Sequence, residues 1–169
     1  IDINDAPIGL NDELTILEDA SVTTTNLILN DTDEDNDDLM ITDVSSDGSG
    51  TVAINADTIS IDYTPEANFN GNETITYTLS DGELTATATL TISVTAQNDA
   101  PVAEDGTITL IQGNTENVIL NATDIDNNEL SFNIEEQPVN GSVTIDGNVA
   151  TFTANESYTG SDSFTFTAN

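Results

Sequence analysis

Leu84-Thr85-Ala86-Thr87-Ala88-Thr89-Leu90-Thr91-Ile92-Ser93-Val94 decides the fold class. Apolar residues hold every second position, and threonine or serine holds the positions between. Side chains along an extended chain point alternately to opposite faces, so this run is a long strand, half buried and half wet. Its β-branched residues suit a pleated surface. The preceding run, Thr74-Ile75-Thr76-Tyr77-Thr78-Leu79, alternates in the same way, and Ser80-Asp81-Gly82 separates the two as a turn. Working outward, strands are predicted over 13–17, 24–29, 39–44, 50–55, 57–63, 73–80 and 83–96. Turn residues interrupt the chain about every ten residues, as in an all-β sandwich. No segment reads as an amphipathic helix.

The chain then repeats itself. Asn4-Asp5-Ala6-Pro7 returns 94 residues later as Asn98-Asp99-Ala100-Pro101. Leu27-Ile28-Leu29-Asn30 returns after 91 residues as Val118-Ile119-Leu120-Asn121. Phe69-Asn70-Gly71 returns after 89 residues as Tyr158-Thr159-Gly160. Three landmarks in one order indicate duplication, with a period suited to separately folded domains. The domain reading is 1–3 as the tail of a preceding repeat, 4–97 as repeat 1 and 98–169 as repeat 2. Repeat 2 has equivalents of six of the seven strands, and Asn169 aligns with Ser80, so repeat 2 lacks the last strand. Two explanations stand: a window cut from a longer array, which the shortness of Ile1-Asp2-Ile3 favours, or a strand donated by a neighbouring chain. Within repeat 2, Asp146-Gly147 reads as a two-residue type I′ hairpin turn.

Charge narrows function. The 169 residues include 32 Asp and Glu and no Lys, Arg or His, a formal charge of −32. Side-chain salt bridges are impossible, so clustered carboxylates repel by about 1 kcal/mol per pair at ~4 Å in water and by more near a protein surface. They can be read as a solvated acidic face or as divalent-metal sites, and both readings can hold together. Without Lys or Arg, nucleic-acid binding has no means of neutralising phosphates. No apolar run approaches the ~20 residues of a spanning helix, which argues against membrane insertion. Without Cys or Lys, neither a disulfide nor a Lys–Asn crosslink can staple the fold, which leaves metal. The absence of His, Cys and Lys removes the common nucleophile machineries. A carboxylate pair could run glycoside hydrolysis, but no pair stands out, so the chain reads as non-enzymatic. The row Thr85, Thr87, Thr89 and Thr91 could meet a sugar or ice, but reads first as the wet face of a strand.

The acidic loops carry the chemistry. Asp31-Thr32-Asp33-Glu34-Asp35-Asn36-Asp37-Asp38 precedes Leu39-Met40-Ile41, and Thr123-Asp124-Ile125-Asp126-Asn127-Asn128-Glu129 precedes Leu130-Ser131-Phe132. Ca²⁺ takes six to eight oxygens, which alternating Asp in a tight loop can supply. An EF-hand is excluded, because Asn36 stands where Gly is needed and Thr42 where the bidentate Glu belongs. Zinc lacks His and Cys ligands.

These motifs resemble cadherin repeats, and most closely the cadherin-like (bacterial Ig-like) tandem repeats of giant bacterial surface adhesins. Asp124-Ile125-Asp126 resembles the cadherin Asp-x-Asp segment. Gln97-Asn98-Asp99-Ala100-Pro101 resembles its linker, one residue shorter before Pro. Tyr63-Thr64-Pro65, Asn68-Phe69-Asn70-Gly71 and Ser80-Asp81-Gly82 resemble the bacterial version. The resemblance covers almost the whole chain and implies two tandem Ig-like, cadherin-like Greek-key β-sandwiches with Ca²⁺ at the domain junctions. Carried over, the ligands are Gln97, Asn98, Asp99, Asp124 and Asp126, with Glu18 from the first domain's base. An N-terminal half-site takes Asn4, Asp5, Asp33, Asp35 and Asp81. The cadherin Asp-Arg-Glu motif has no counterpart. The resemblance implies an extracellular, cell-surface spacer whose partners are neighbouring repeats of the same chain, and also other copies or cell-surface glycans. A strand-donating filament subunit and a glycan-binding module are the alternatives.

Overall fold

The computed structural model describes residues 3–24 and 26–169. Ile1 and Asp2 of the expected tail, and Thr25 within the expected strand 24–29, lie outside them. The chain divides into two compact units, Ile1–Gln97 and Asn98–Asn169, and among the described residues every regular element is a strand.

The first unit holds β1 (Asp12–Leu17), β2 (Val22–Thr23), β3 (Met40–Ser46), β4 (Thr51–Ile54), β5 (Ile61–Thr64), β6 (Gly71–Ser80) and β7 (Thr85–Thr95). One sheet runs β1-β7-β6-β3 and the other β2-β5-β4. β6 and β7 are antiparallel from Gly71↔Val94 to Ser80↔Thr85, whereas β1 joins β7 in parallel from Asp12↔Leu90 to Leu17↔Thr95. The alternation along β7 buries Ala88, Leu90, Ile92 and Val94, each no more than 4% exposed. They pack with Ile75, Tyr77 and Leu79 of β6 and with Ile61 and Tyr63 of the opposite sheet, giving a sandwich with one core.

The second unit holds β8 (Val102–Glu104), β9 (Thr115–Ile119), β10 (Asn121–Thr123), β11 (Phe132–Glu136), β12 (Gly141–Asp146), β13 (Val149–Ala154) and β14 (Thr165–Ala168). Its sheets are β12-β13-β9, β11-β14 and β10-β8. By alignment β14 answers to β6 and β11 to β3, and no strand of the described residues takes the place of β7. The core is correspondingly smaller, with Leu120, Val143, Ala150 and Phe152 buried.

Four expectations need correction. The strand expected over 24–29 is a turn at 27–30, preceded by the short β2. The Asn26 side chain accepts from the Ile28 amide, and Asp31 N–H donates back to Ile28 C=O, so Leu27 is buried while Leu29 is 80% exposed. The strand expected over 57–63 begins only at Ile61. The Asp57 carboxylate accepts from the Ile59 and Ser60 amides and turns the chain there. Residues 107–111, equivalent to 13–17, form no strand, because the neighbour that would pair with them, a counterpart of β7, is not among the described residues. The hairpin turn is Gly147-Asn148 rather than Asp146-Gly147, since Asp146 pairs with Val149. Of the two turn residues only Gly147 has positive φ, +60°, which is the type II′ arrangement.

Candidate metal centre

Each unit carries the same loop, built by the same bonds. In the first, Asp33 Oδ1 accepts from the Asp35 amide at 2.9 Å and the Asp37 amide at 3.2 Å. In the second, Asp124 Oδ1 accepts from the Asp126 amide at 2.9 Å and the Asn128 amide at 3.2 Å. An asparagine closes each turn with a left-handed backbone, Asn36 at φ 60° and Asn127 at φ 59°, a conformation asparagine tolerates better than most residues.

Each loop also holds the N-terminal segment of its own unit. The Asp5 amide donates to Asp35 Oδ2 at 2.7 Å, and the Asp99 amide donates to Asp126 Oδ2 at 2.7 Å. Asn4 Nδ2 donates to Asp81 Oδ2 at 3.0 Å, while Asn128 Nδ2 donates to Asn98 Oδ1. Asn4, Asp5, Asp33, Asp35 and Asp81 are thus brought together in the first unit, and Asn98, Asp99, Asp124 and Asp126 in the second. Glu18 lies at the other end of the first unit, 4% exposed, where it accepts from the Gln97 amide just past β7.

The electrostatics favour a cation in the first unit. One carboxylate oxygen from each of Asp33, Asp35 and Asp37 lies within 4.8 Å of the others, and no positive side chain exists to offset them. Partial desolvation, then the charges of Asp33, Asp35, Asp81 and Glu83, push the Asp37 carboxyl above its ordinary value. Asp33 Oδ2 is buried with no hydrogen-bond partner among the described residues, a costly arrangement unless a cation or proton meets it. Asp81 differs. The amides of Leu84 and Glu83 donate to its Oδ1 and hold it below the ordinary carboxylate value. Hard carboxylate and amide oxygens around an unsatisfied buried oxygen fit Ca²⁺. The second loop has Asn128 where the first has Asp37, and Ile125 where the first has Glu34, so it is the less acidic of the two.

Sequence reasoning missed two residues. Asp37 stands four positions after Asp33 in the acidic run, within reach of the same turn. Glu73, 2% exposed, shares the inward parity of Ile75, Tyr77 and Leu79, a signal that a carboxylate points into the core.

A family model for the bacterial Ig domain matches residues 4–93 and 98–169. Human protocadherin-24 EC1-2, Form II, is similar in structure, with a TM-score of 0.61 at 17% identity over 98% of this chain and 95% of that one. Drosophila N-cadherin EC1-4 gives a TM-score of 0.54 at 14% identity over 98% of this chain and 48% of that one. A nucleoside hydrolase-related hypothetical protein from Saccharophagus degradans gives 0.43 at 21% identity over 54% of this chain, which spans 26% of that protein. Likeness at these identities speaks to fold alone. No curated protein matches the sequence.

Proposed function

The chain belongs to the bacterial Ig domain family, and on that premise we propose that it is a Ca²⁺-stiffened extracellular spacer or adhesion repeat of a long surface protein, supporting cell attachment or biofilm cohesion. The observation that carries this reading is the twinned loop. Asp33, Asp35 and Asp5 are bonded as Asp124, Asp126 and Asp99 are, although threonines, strand lengths and core residues differ between the units. Asn4, Asp5, Asp33, Asp35 and Asp81 would hold Ca²⁺ at the head of one repeat, and Asn98, Asp99, Asp124 and Asp126 at the head of the next. Glu18 and Gln97 are what the first repeat offers to the ion set of the repeat that follows it.

Bound Ca²⁺ supplies the positive charge that the sequence lacks. The linker amides already reach the Asp-x-Asp loop, so a shared ion would fix the linker against that loop and limit bending. An ion that binds only the ordered state stabilises it by about 2.7 kcal/mol at a hundredfold excess over Kd. The reading assigns no catalysis, in keeping with a chain free of His, Cys and Lys. Its partners are neighbouring repeats.

Small-angle scattering and thermal unfolding of the chain, in Ca²⁺ and then in chelator, test it. A longer, narrower distance distribution and a higher Tm in Ca²⁺, both diminished by Asp99→Ala, are the expected result. Identical profiles and midpoints in the two buffers would sink the proposal.

A further inference from the structure

Three consecutive residues before Asp33 are each tied to the segment that follows Pro7. Asn30 Nδ2 donates to Asp12 Oδ1 at 3.1 Å, the Leu10 amide donates to Asp31 Oδ1 at 2.7 Å, and Ile8 and Thr32 exchange both main-chain bonds, at 2.7 and 3.0 Å. The segment 8–12 is pegged in turn from the core. Tyr77 of β6 is 0% exposed, and its hydroxyl lies 3.0 Å from Leu10 C=O and 2.8 Å from Asp12 Oδ2, one hydrogen shared between two acceptors. At its other end the segment leads back to Asn4 and Asp5, which bond to Asp81 and Asp35. The second unit makes the same join differently. Val102–Glu104 and Asn121–Thr123 pair there as a main-chain ladder. The side chains of the first unit's join are gone: at the offsets of 94, 91 and 89 residues, Asp12, Asp31 and Tyr77 become Gly106, Ala122 and Phe166.

Resting on the Ca²⁺ reading above, we propose that Tyr77, Asp12 and Asp31 form a clasp that positions the first acidic loop for its ion. They are positioning residues, acting through the main chain of the segment 8–12. In the second unit a ladder of three residue pairs holds linker and loop together. In the first, Ile8↔Thr32 is the one main-chain bridge between these segments among the described residues, and the Asp31 carboxylate, rather than a backbone carbonyl, takes the Leu10 amide. The Tyr77 hydroxyl then fixes that segment to the core at Leu10 and Asp12. The groups at 4 and 5 and those at 33 and 35 are thereby held in place relative to each other before an ion arrives. Such outer bonds orient the ligands and lower the ordering cost that binding has to meet. Removing the hydroxyl raises that cost without changing any charge.

The test is a Ca²⁺ titration of the whole 169-residue chain, read separately at each loop from the amide signals of Asp35 and Asp37 and of Asp126 and Asn128. Tyr77→Phe should move the midpoint of the first loop to about three- to tenfold higher Ca²⁺ and leave the second where it was. In chelator it should speed hydrogen exchange at the Leu10 and Thr32 amides. Tyr63→Phe is the control. It too removes a buried hydroxyl from a carboxylate in the same core, but one that bonds to Glu73 and not to the segment 8–12. It should lower stability and leave both midpoints unchanged. Asp31→Asn keeps an oxygen for the Leu10 amide, so it should weaken binding less than Asp31→Ala. An unshifted midpoint in Tyr77→Phe, equal shifts in Tyr77→Phe and Tyr63→Phe, or equal weakening by the two Asp31 variants overturns the proposal. A parent chain whose loop signals ignore Ca²⁺ would instead defeat the metal reading itself, and this inference with it.

Discussion

The Tyr63 hydroxyl donates to Glu73 Oε2 at 2.6 Å, with the two side chains 0% and 2% exposed. The same carboxylate accepts from the Ser49 and Gly50 amides, which keeps a buried charge tolerable with no cation nearby. At the 89-residue offset the pair becomes Phe152 and Asp162. Among the described residues the shorter acid accepts from the main-chain amides of Val139, Asn140 and Ser163, and from no hydroxyl. Tyr63→Phe therefore leaves a buried acceptor under-satisfied and should cost about 1–3 kcal/mol. Phe152→Tyr should also destabilise, because the ring tip that would carry the hydroxyl packs against Gly141. Urea titrations followed by amide signals of β5 and β13 check both, and a neutral Phe152→Tyr would break the argument.

Two glycines sit against these rings. A Cβ on Gly50 would come within 2.6 Å of Tyr63 Cε2, and one on Gly141 within 2.6 Å of Thr153 C=O and 2.9 Å of Phe152 Cζ. Alanine at either should cost about 1–3 kcal/mol through overpacking. Gly106→Ala, whose Cβ meets only Val118 Cγ2 at 3.9 Å, should stay within about 0.5 kcal/mol. Chemical denaturation of the three variants separates close approach from a general intolerance of change.

Removing a charge from the first acidic loop should have opposite effects with and without metal. Asp37→Asn relieves repulsion with Asp33 and Asp35, so unfolding in chelator should move to higher urea. In Ca²⁺ the same variant loses a ligand charge, and the Ca²⁺-dependent rise in midpoint should shrink. Calorimetric titration on the variant should show weaker binding, while Asp43→Asn, on β3, should change neither.

Acid should expose Asp57. The Ile59 amide, then the Ser60 hydroxyl and amide, hold its carboxyl below the ordinary 3.8. A lowered folded-state value means that the unfolded chain binds the proton first, so the contribution is complete above 3.8 and fades as pH falls through the lowered value. Asp57→Asn should lower the urea midpoint at neutral pH, and the gap to the parent should close in strong acid. A gap that does not change with pH would assign the effect to turn geometry instead.

Alkali should leave two tyrosines silent. Burial, then the hydrogen bond to Glu73, pushes the Tyr63 phenol far above its ordinary 10, and burial, then the bond to Asp12, does the same for Tyr77. Phenolate absorbance from these two should emerge only as the first unit unfolds, in step with loss of its β-sheet dichroism.

Much of this fold was legible because the side-chain period of a strand is written locally. Ile75, Tyr77, Leu79, Leu90 and Ile92 announce their own faces. The Asp-x-Asp turns were legible for the same reason, since Asp33 and Asp124 bond to amides two and four residues away. What escaped was non-local. Leu27-Ile28-Leu29 carries strand residues, but the side chain of Asn26 bends it. Thr107-Ile108-Thr109-Leu110 alternates well and still forms no strand, because a strand exists only beside a partner. Asp37 could be seen in the acidic run, but its crowding with Asp33 and Asp35 needed coordinates.

The parallel pairing of β1 with β7 has a mechanical consequence. β1 lies near the start of the first unit and β7 near its end, and they run in the same direction, side by side over six residue pairs. Tension applied through the two ends of that unit would slide the strands lengthwise past each other, loading the whole row of hydrogen bonds together instead of peeling them one at a time. Rupture would then require one concerted event, so the first sandwich should yield at high force.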